Sequence, residues 1–171
     1  MPLRLAIART DRVAVAVVGM VAFSIGFTFC LAVRRRVVGG QDDYPRHFHD
    51  PSTAKPDALR FGIQFADGRK ATSLGRSPSS MPFDESQGPV LAPRGGSGGP
   101  LTYDVNMWVW PLPPPGPLAF VCEWTAEGIA LTRHETDAAS ILNAAADSRE
   151  LWPADGDDGG GASTTVTFGR G

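Results

Sequence analysis

The residues best suited to chemistry in this chain are three histidines, two cysteines, four tryptophans and one glycine-rich run. His47-Phe48-His49-Asp50 sets two imidazoles at i and i+2 beside a carboxylate. On a strand both rings would share a face and could bind Zn²⁺. A zinc site needs further ligands, and only His134, followed by Glu135, offers one elsewhere. The ligand count therefore favours a solvated loop over a metal-dependent hydrolase built on His47, His49 and His134. Residues 94–99 (RGGSGG) have the composition of a phosphate-cradling loop. Such a loop needs a helix N-terminus and a Lys-Ser/Thr pair after it, whereas Pro100 and a strand follow here. The run reads as a flexible connection.

Trp108 and Trp110 fall on one face of a strand, opposite Val105, Met107 and Val109. With Trp124 they could stack a sugar or a peptide, although large aromatics more often pack into a core. Arg94, Trp108 and Trp110 are thus the candidate ligand-binding residues. Pro113, Pro114, Pro115 and Pro117 could present a polyproline ligand, or simply stiffen a loop. Support for catalysis is thin. There is no G-x-S-x-G elbow, and Cys122 shares the parity of Leu118 and Phe120, as a buried, inert thiol would. Asp42-Asp43 and Asp84-Glu85 sit in polar loops, where solvation is the default. No catalytic residue, metal or cofactor is assigned.

Composition narrows the classes further. The 171 residues suffice for one sizeable core, and 42% hydrophobic content is too high for a wholly disordered chain. Sixteen basic against eighteen acidic residues give a net charge of −2, which argues against nucleic acid as a partner. Arginine outnumbers lysine 14 to 2, as GC-rich coding would produce, so an arginine at a given site need not signal an anion contact. Two cysteines cannot build a disulfide scaffold.

The elements that must position these residues are mostly strands. Val13 to Val33 carries no charge and is long enough to span a bilayer as a helix. Side-chain size, however, alternates along it. Ten of eleven odd positions are large and apolar, against two of ten even ones. Period two is the repeat of a strand, and a lipid-facing helix has no reason to sort bulk by parity. The spacing predicts strands over 12–23 and 27–36, turning at Ser24-Ile25-Gly26. Three arginines on each side of the stretch give a membrane span no orientation.

Alternation also marks Leu3 to Ala8, Leu59 to Phe65, Tyr103 to Trp110 and Leu118 to Trp124. Asp67-Gly68 is a hairpin signal whose return strand would be Arg69 to Leu74. Pro89 to Ala92 suits a short edge strand. Residues 39–57 and 75–88 read as loops, and so does 111–117, where five of seven residues are proline. One helix is predicted over Ala138 to Leu151, capped by Thr136 or Asp137 and stopped by Trp152-Pro153.

Several stretches resemble a family of uncharacterised proteins from high-GC Gram-positive bacteria. They are AFSIGFTFCLAVRRR (22–36), LRFGIQFADGRKAT (59–72), VLAPRGGSGG (90–99), WVWPLPPPGPLAFVCEW (108–124) and LTRHETDAASILNAAADSRELWP (131–153). The resemblance covers most of the chain outside its loops and tail. It implies that 22–36 belongs to a soluble domain, and it implies no activity.

These observations point to a mainly β, antiparallel sandwich-like domain over 1–153 with one C-terminal α-helix, followed by a disordered Gly/Asp-rich tail at 154–171. The expected function is that of a cytoplasmic, non-enzymatic binding module for an unknown protein or small-molecule ligand. A single-pass protein of the cell membrane, with its span at 13–33, is the alternative.

Overall fold

The computed structural model describes residues 4–37, 56–73, 88–150 and a short strand at 167–168. Its architecture is mainly β, as the alternation demands. One sheet holds five antiparallel strands. They are β1 (Arg4–Arg9), β2 (Val13–Phe23), β3 (Gly26–Arg35), β7 (Thr102–Trp110) and β6 (Val90–Gly98), in the order β1-β2-β3-β7-β6. A second sheet holds β5 (Lys70–Thr72), β4 (Arg60–Gln64), β8 (Pro117–Trp124) and β9 (Ile129–Asp137), in the order β5-β4-β8-β9. Helix α1 (Ala139–Ala146) packs on β2 and β3. A two-residue strand β10 (Arg149–Glu150) pairs with β11 (Thr167–Phe168), so two residues of the glycine-rich tail are in a strand. The rest of that tail, and most of the loops expected at 39–57 and 75–88, lie outside the described residues.

The two sheets bury their inner faces against each other. Phe27, Phe29, Leu31, Val105 and Met107 of the first meet Phe61, Ile63, Leu118 and Phe120 of the second in one core. Phe29 lies 5.5 Å from Phe120 in an edge-on arrangement and 5.9 Å from Phe61, so aromatic contacts bridge the layers. Every strand pair in either sheet is antiparallel, and the Asp67-Gly68 hairpin forms as the sequence predicts, with Gly68 at φ +86°.

Residues 13–33 are therefore a strand hairpin, which corrects the alternative of a helical span there. Among the described residues no helix is long and apolar enough to cross a membrane. The parity rule itself needs one correction. Val13, Val15 and Val17 face the core, but a bulge between Val18 and Met20 inserts Gly19 at φ +57°. A bulge adds one residue to one strand and reverses its faces beyond that point. Met20 and Ala22 consequently turn inward, while Val21 is 42% exposed. Gly19 is needed for its backbone alone, since a Cβ at that position would meet no atom within 4 Å. Gly19→Ala is expected to cost about 1–2 kcal/mol through left-handed strain. A lower urea midpoint with an unchanged slope checks it.

The structure adds one strand and revises two further expectations. Strand β9 escapes the alternation rule, because residues 129–137 (IALTRHETD) lack an apolar face. The glycine run 94–99 is no free connection: β6 continues through Gly98, with a bulge between Pro93 and Gly96. The helix is shorter than 138–151 and ends at Ala146. Its N-cap position is Ala138 rather than Thr136 or Asp137 and has no side-chain cap; Asp137, just outside the helix, accepts at Oδ1 from the Ala139 backbone N–H at 2.8 Å.

A partly charged contact ties the sheets at one end. Arg35, the last residue of β3, reaches Glu127 in the short 3₁₀ turn between β8 and β9, at 2.7 Å. The two side chains are only 11% and 7% exposed. The Arg35 guanidinium also lies 4.9 Å from the centre of the Trp124 ring.

Candidate functional site

A strand of alternating residues exposes every second side chain on the outer face of its sheet. On the four-stranded sheet this face carries Arg60, Gly62 and Gln64 of β4, and Val121, Glu123 and the fully covered Ala119 of β8. The register aligns Thr72, Gly62, Val121 and Arg133 in one row across all four strands. Gly62 contributes no side chain to that row. Its bare backbone also lets β5 come close, since a Cβ there would sit 3.0 Å from the Ala71 carbonyl oxygen.

The missing side chain leaves a hollow of about 390 Å³ on the outer face. Gly62 and Val121 form its floor, and Leu131 supplies an apolar wall. Leu131 is 70% exposed, the largest exposure of any bulky apolar residue described. Arg60, Lys70 and Arg133 stand around the rim with Glu123. Three cations against one carboxylate give the lining a charge of 3 − 1 = +2, on a chain whose net charge is −2.

Hydrogen bonds fix two of these cations. Arg60 Nη2 donates to the Pro56 carbonyl at 2.8 Å and Nη1 to Glu123 Oε2 at 3.3 Å. Arg133 Nη1 donates to Gln64 Oε1 at 2.6 Å, and its Nε donates to Glu135 Oε1 at 2.9 Å. Lys70 is exposed and has no carboxylate partner among the described residues. An apolar floor with one uncompensated ammonium at its edge suits a hydrophobic group that bears an anionic charge.

The residues singled out from sequence lie elsewhere and are not brought together as an open platform. Arg94 is exposed on β6, beside the bulge. Trp108 and Trp110 share the outer face of the five-stranded sheet, and Trp124 belongs to the core between the sheets. Trp110 is only 9% exposed. Trp108 lies over Gly26, whose Cβ position is 2.8 Å from the indole ring, and 5.6 Å from the Phe23 ring. Its Nε1 is shielded from solvent and finds no acceptor among the described residues. Trp108 is half-buried and Trp110 nearly buried.

His47 and His49 lie outside the described residues. His134 sits on β9 opposite Phe120, half-buried. Among the described residues no three His, Cys, Asp or Glu side chains cluster as metal ligands. Cys122 is buried in the core, where desolvation and then the Glu123 charge push its thiol up to about 12. Cys30 is on the opposite sheet. Burial, followed by the Asp104 charge, raises its thiol above the ordinary value. Both are free thiols, and their protonation at neutral pH makes them poor nucleophiles.

No single stretch of sequence contains the hollow. Its lining comes from β4, β5, β8 and β9. Glycine in mid-strand at position 62, between Phe61 and Ile63, is the one local signal of it. Comparison with known proteins finds no matching family model, no matching curated protein and no matching solved structure.

Proposed function

We propose that the chain is a non-enzymatic binding module and that the outer hollow of the four-stranded sheet is its binding face. The observation that carries this reading is the side chain missing at Gly62, which opens an apolar floor beneath the Lys70 ammonium. The occupant is an apolar side chain of a partner protein flanked by a carboxylate. The apolar part fills the hollow against Val121 and Leu131, and the anion meets Lys70. The cytoplasm is the compartment that fits two free thiols, one of them deep in the core.

Anilinonaphthalene sulfonate, an aromatic group carrying one anion, serves as the probe. Its fluorescence should rise saturably with the native protein. Leu131→Glu removes the apolar wall at an exposed position, where the cost to folding is within about 0.5 kcal/mol. Lys70→Glu reverses the charge at the rim. Each is expected to weaken the probe by ~1.4 kcal/mol or more, roughly tenfold. Failure of the wild-type chain to bind the probe saturably, or binding unchanged in both variants, refutes the reading.

A further inference from the structure

We infer that the free edge of β9 pairs antiparallel with the β9 edge of a second copy, Arg133 of each chain facing Glu135 of the other. The edge adjoins the hollow and shares Arg133 with it, so Glu135→Arg, outside the hollow's lining, tests the pairing and Lys70→Glu tests the hollow. Strand β9 ends the order β5-β4-β8-β9, so among the described residues one of its sides has no hydrogen-bonded neighbour in the sheet, although β1 of the other sheet packs near it. From Thr132 to Asp137 its other side pairs with β8 without interruption, from Cys122↔Thr132 to Pro117↔Asp137. The unpaired side is thus a straight row of backbone donors and acceptors.

Natural edges are usually guarded by proline, lysine, a bulge or shortness. The opposite edge of the same sheet, β5, is only three residues long. In the five-stranded sheet, β6 carries Pro93 and a bulge, and β1 has an irregular register between Ala6 and Ala8. Strand β9 runs for nine residues and contains neither proline nor lysine, and its own bulge is confined to 129–132, ahead of the evenly paired stretch. Its charges are Arg133 and Glu135, of opposite sign and two residues apart on the same face, and Asp137 at its end.

Arg133 and Glu135 complement each other across an antiparallel pairing with a second copy. A two-fold axis normal to the sheet pairs residue i with a residue of equal parity, keeping both side chains on one face. Only the register centred on His134 sets Arg133 against Glu135 of the partner subunit, and it does so twice. In the same register Thr132 meets Thr136 of the partner subunit, a favourable β-branched pair, and the regular overlap runs over residues 132–136. Within one chain Arg133 already holds Glu135 at 2.9 Å, so both charges stand on the exposed face ready to exchange partners. The result is a continuous sheet of two four-stranded halves, with both hollows on one surface.

Sedimentation of the full chain tests this. The wild type is expected to be a dimer at micromolar concentration. Arg133→Glu and Glu135→Arg each replace two attractive pairs by two repulsive ones and should weaken dimerisation roughly tenfold or more. Mixing those two single variants should yield a heterodimer, because each supplies the charges the other lacks. The double variant R133E/E135R should regain the wild-type association. A wild-type chain that stays monomeric throughout the micromolar range overturns the inference. So does a dimer that ignores both single changes, or single variants that do not associate with each other.

Discussion

Glu127→Ala is expected to destabilise the fold by about 3–5 kcal/mol, the loss that follows when one partner of a buried ion pair is removed. The carboxylate of Glu127 sits 2.7 Å from the Arg35 guanidinium, with both side chains almost wholly out of water. Alanine takes from that guanidinium the carboxylate it meets in a site with little water. The Trp124 ring 4.9 Å away remains as a weaker cation–π partner. The loss is large because the pair fastens the end of β3 in one sheet to the turn between β8 and β9 in the other. Equilibrium urea unfolding reads the change directly. A double variant, Arg35→Met with Glu127→Leu, separates burial of charge from loss of packing. Replacing both charges by apolar groups removes the desolvation cost along with the attraction, so this variant should recover part of the lost stability. An Arg34→Ala control at the exposed Arg34–Asp104 pair, whose side chains are 47% and 39% exposed, should change little.

Phe120→Ala is expected to cost a similar 3–5 kcal/mol, roughly, for a different reason. Phe120 is fully buried and touches the aromatic rings of both layers, with Phe29 at 5.5 Å and Phe61 at 6.1 Å. Truncation loses the transfer free energy of the ring and leaves a void that the closely packed sheets cannot close. A typical domain has about 5–15 kcal/mol in total, so a measurable unfolded fraction should appear under native conditions. Val21→Ala is the contrasting case. Val21 sits past the Gly19 bulge on the solvent side, and its change should fall within about 0.5 kcal/mol. Strict alternation from Val13 would make the same residue a core position. The two variants together therefore test the bulge as well as the core.

How much of the fold is legible in the sequence follows from where each strand lies. Central strands bury one whole face, so their sequences alternate. Phe27 to Val33, Phe61 to Phe65, Tyr103 to Val109 and Leu118 to Trp124 all announce themselves this way. Strand β9 borders the sheet, and only Ile129 in it is buried. Solvent on most sides allows Arg133, His134 and Glu135, and the alternation disappears. Gly19 reads as one small residue in a large-residue row, because a bulge changes phase without changing composition. In β6 the chain stays paired across residues that composition assigns to a loop, since Gly96 is held against β7 with a Cβ position only 2.7 Å from the Asp104 carbonyl oxygen. The hollow is hidden for a further reason. Its residues are set side by side by strand register, and register is a relation between segments.

The absent side chain at Gly62 has a consequence for how any guest is received. A cleft formed by a swinging loop must be shaped anew at each encounter, and ordering it draws on the affinity. Here the receptacle is cast when three ladders of backbone hydrogen bonds close around a bare spot, before any guest arrives. Selectivity then resides in the contour of a rigid mould, and a single codon sets its depth.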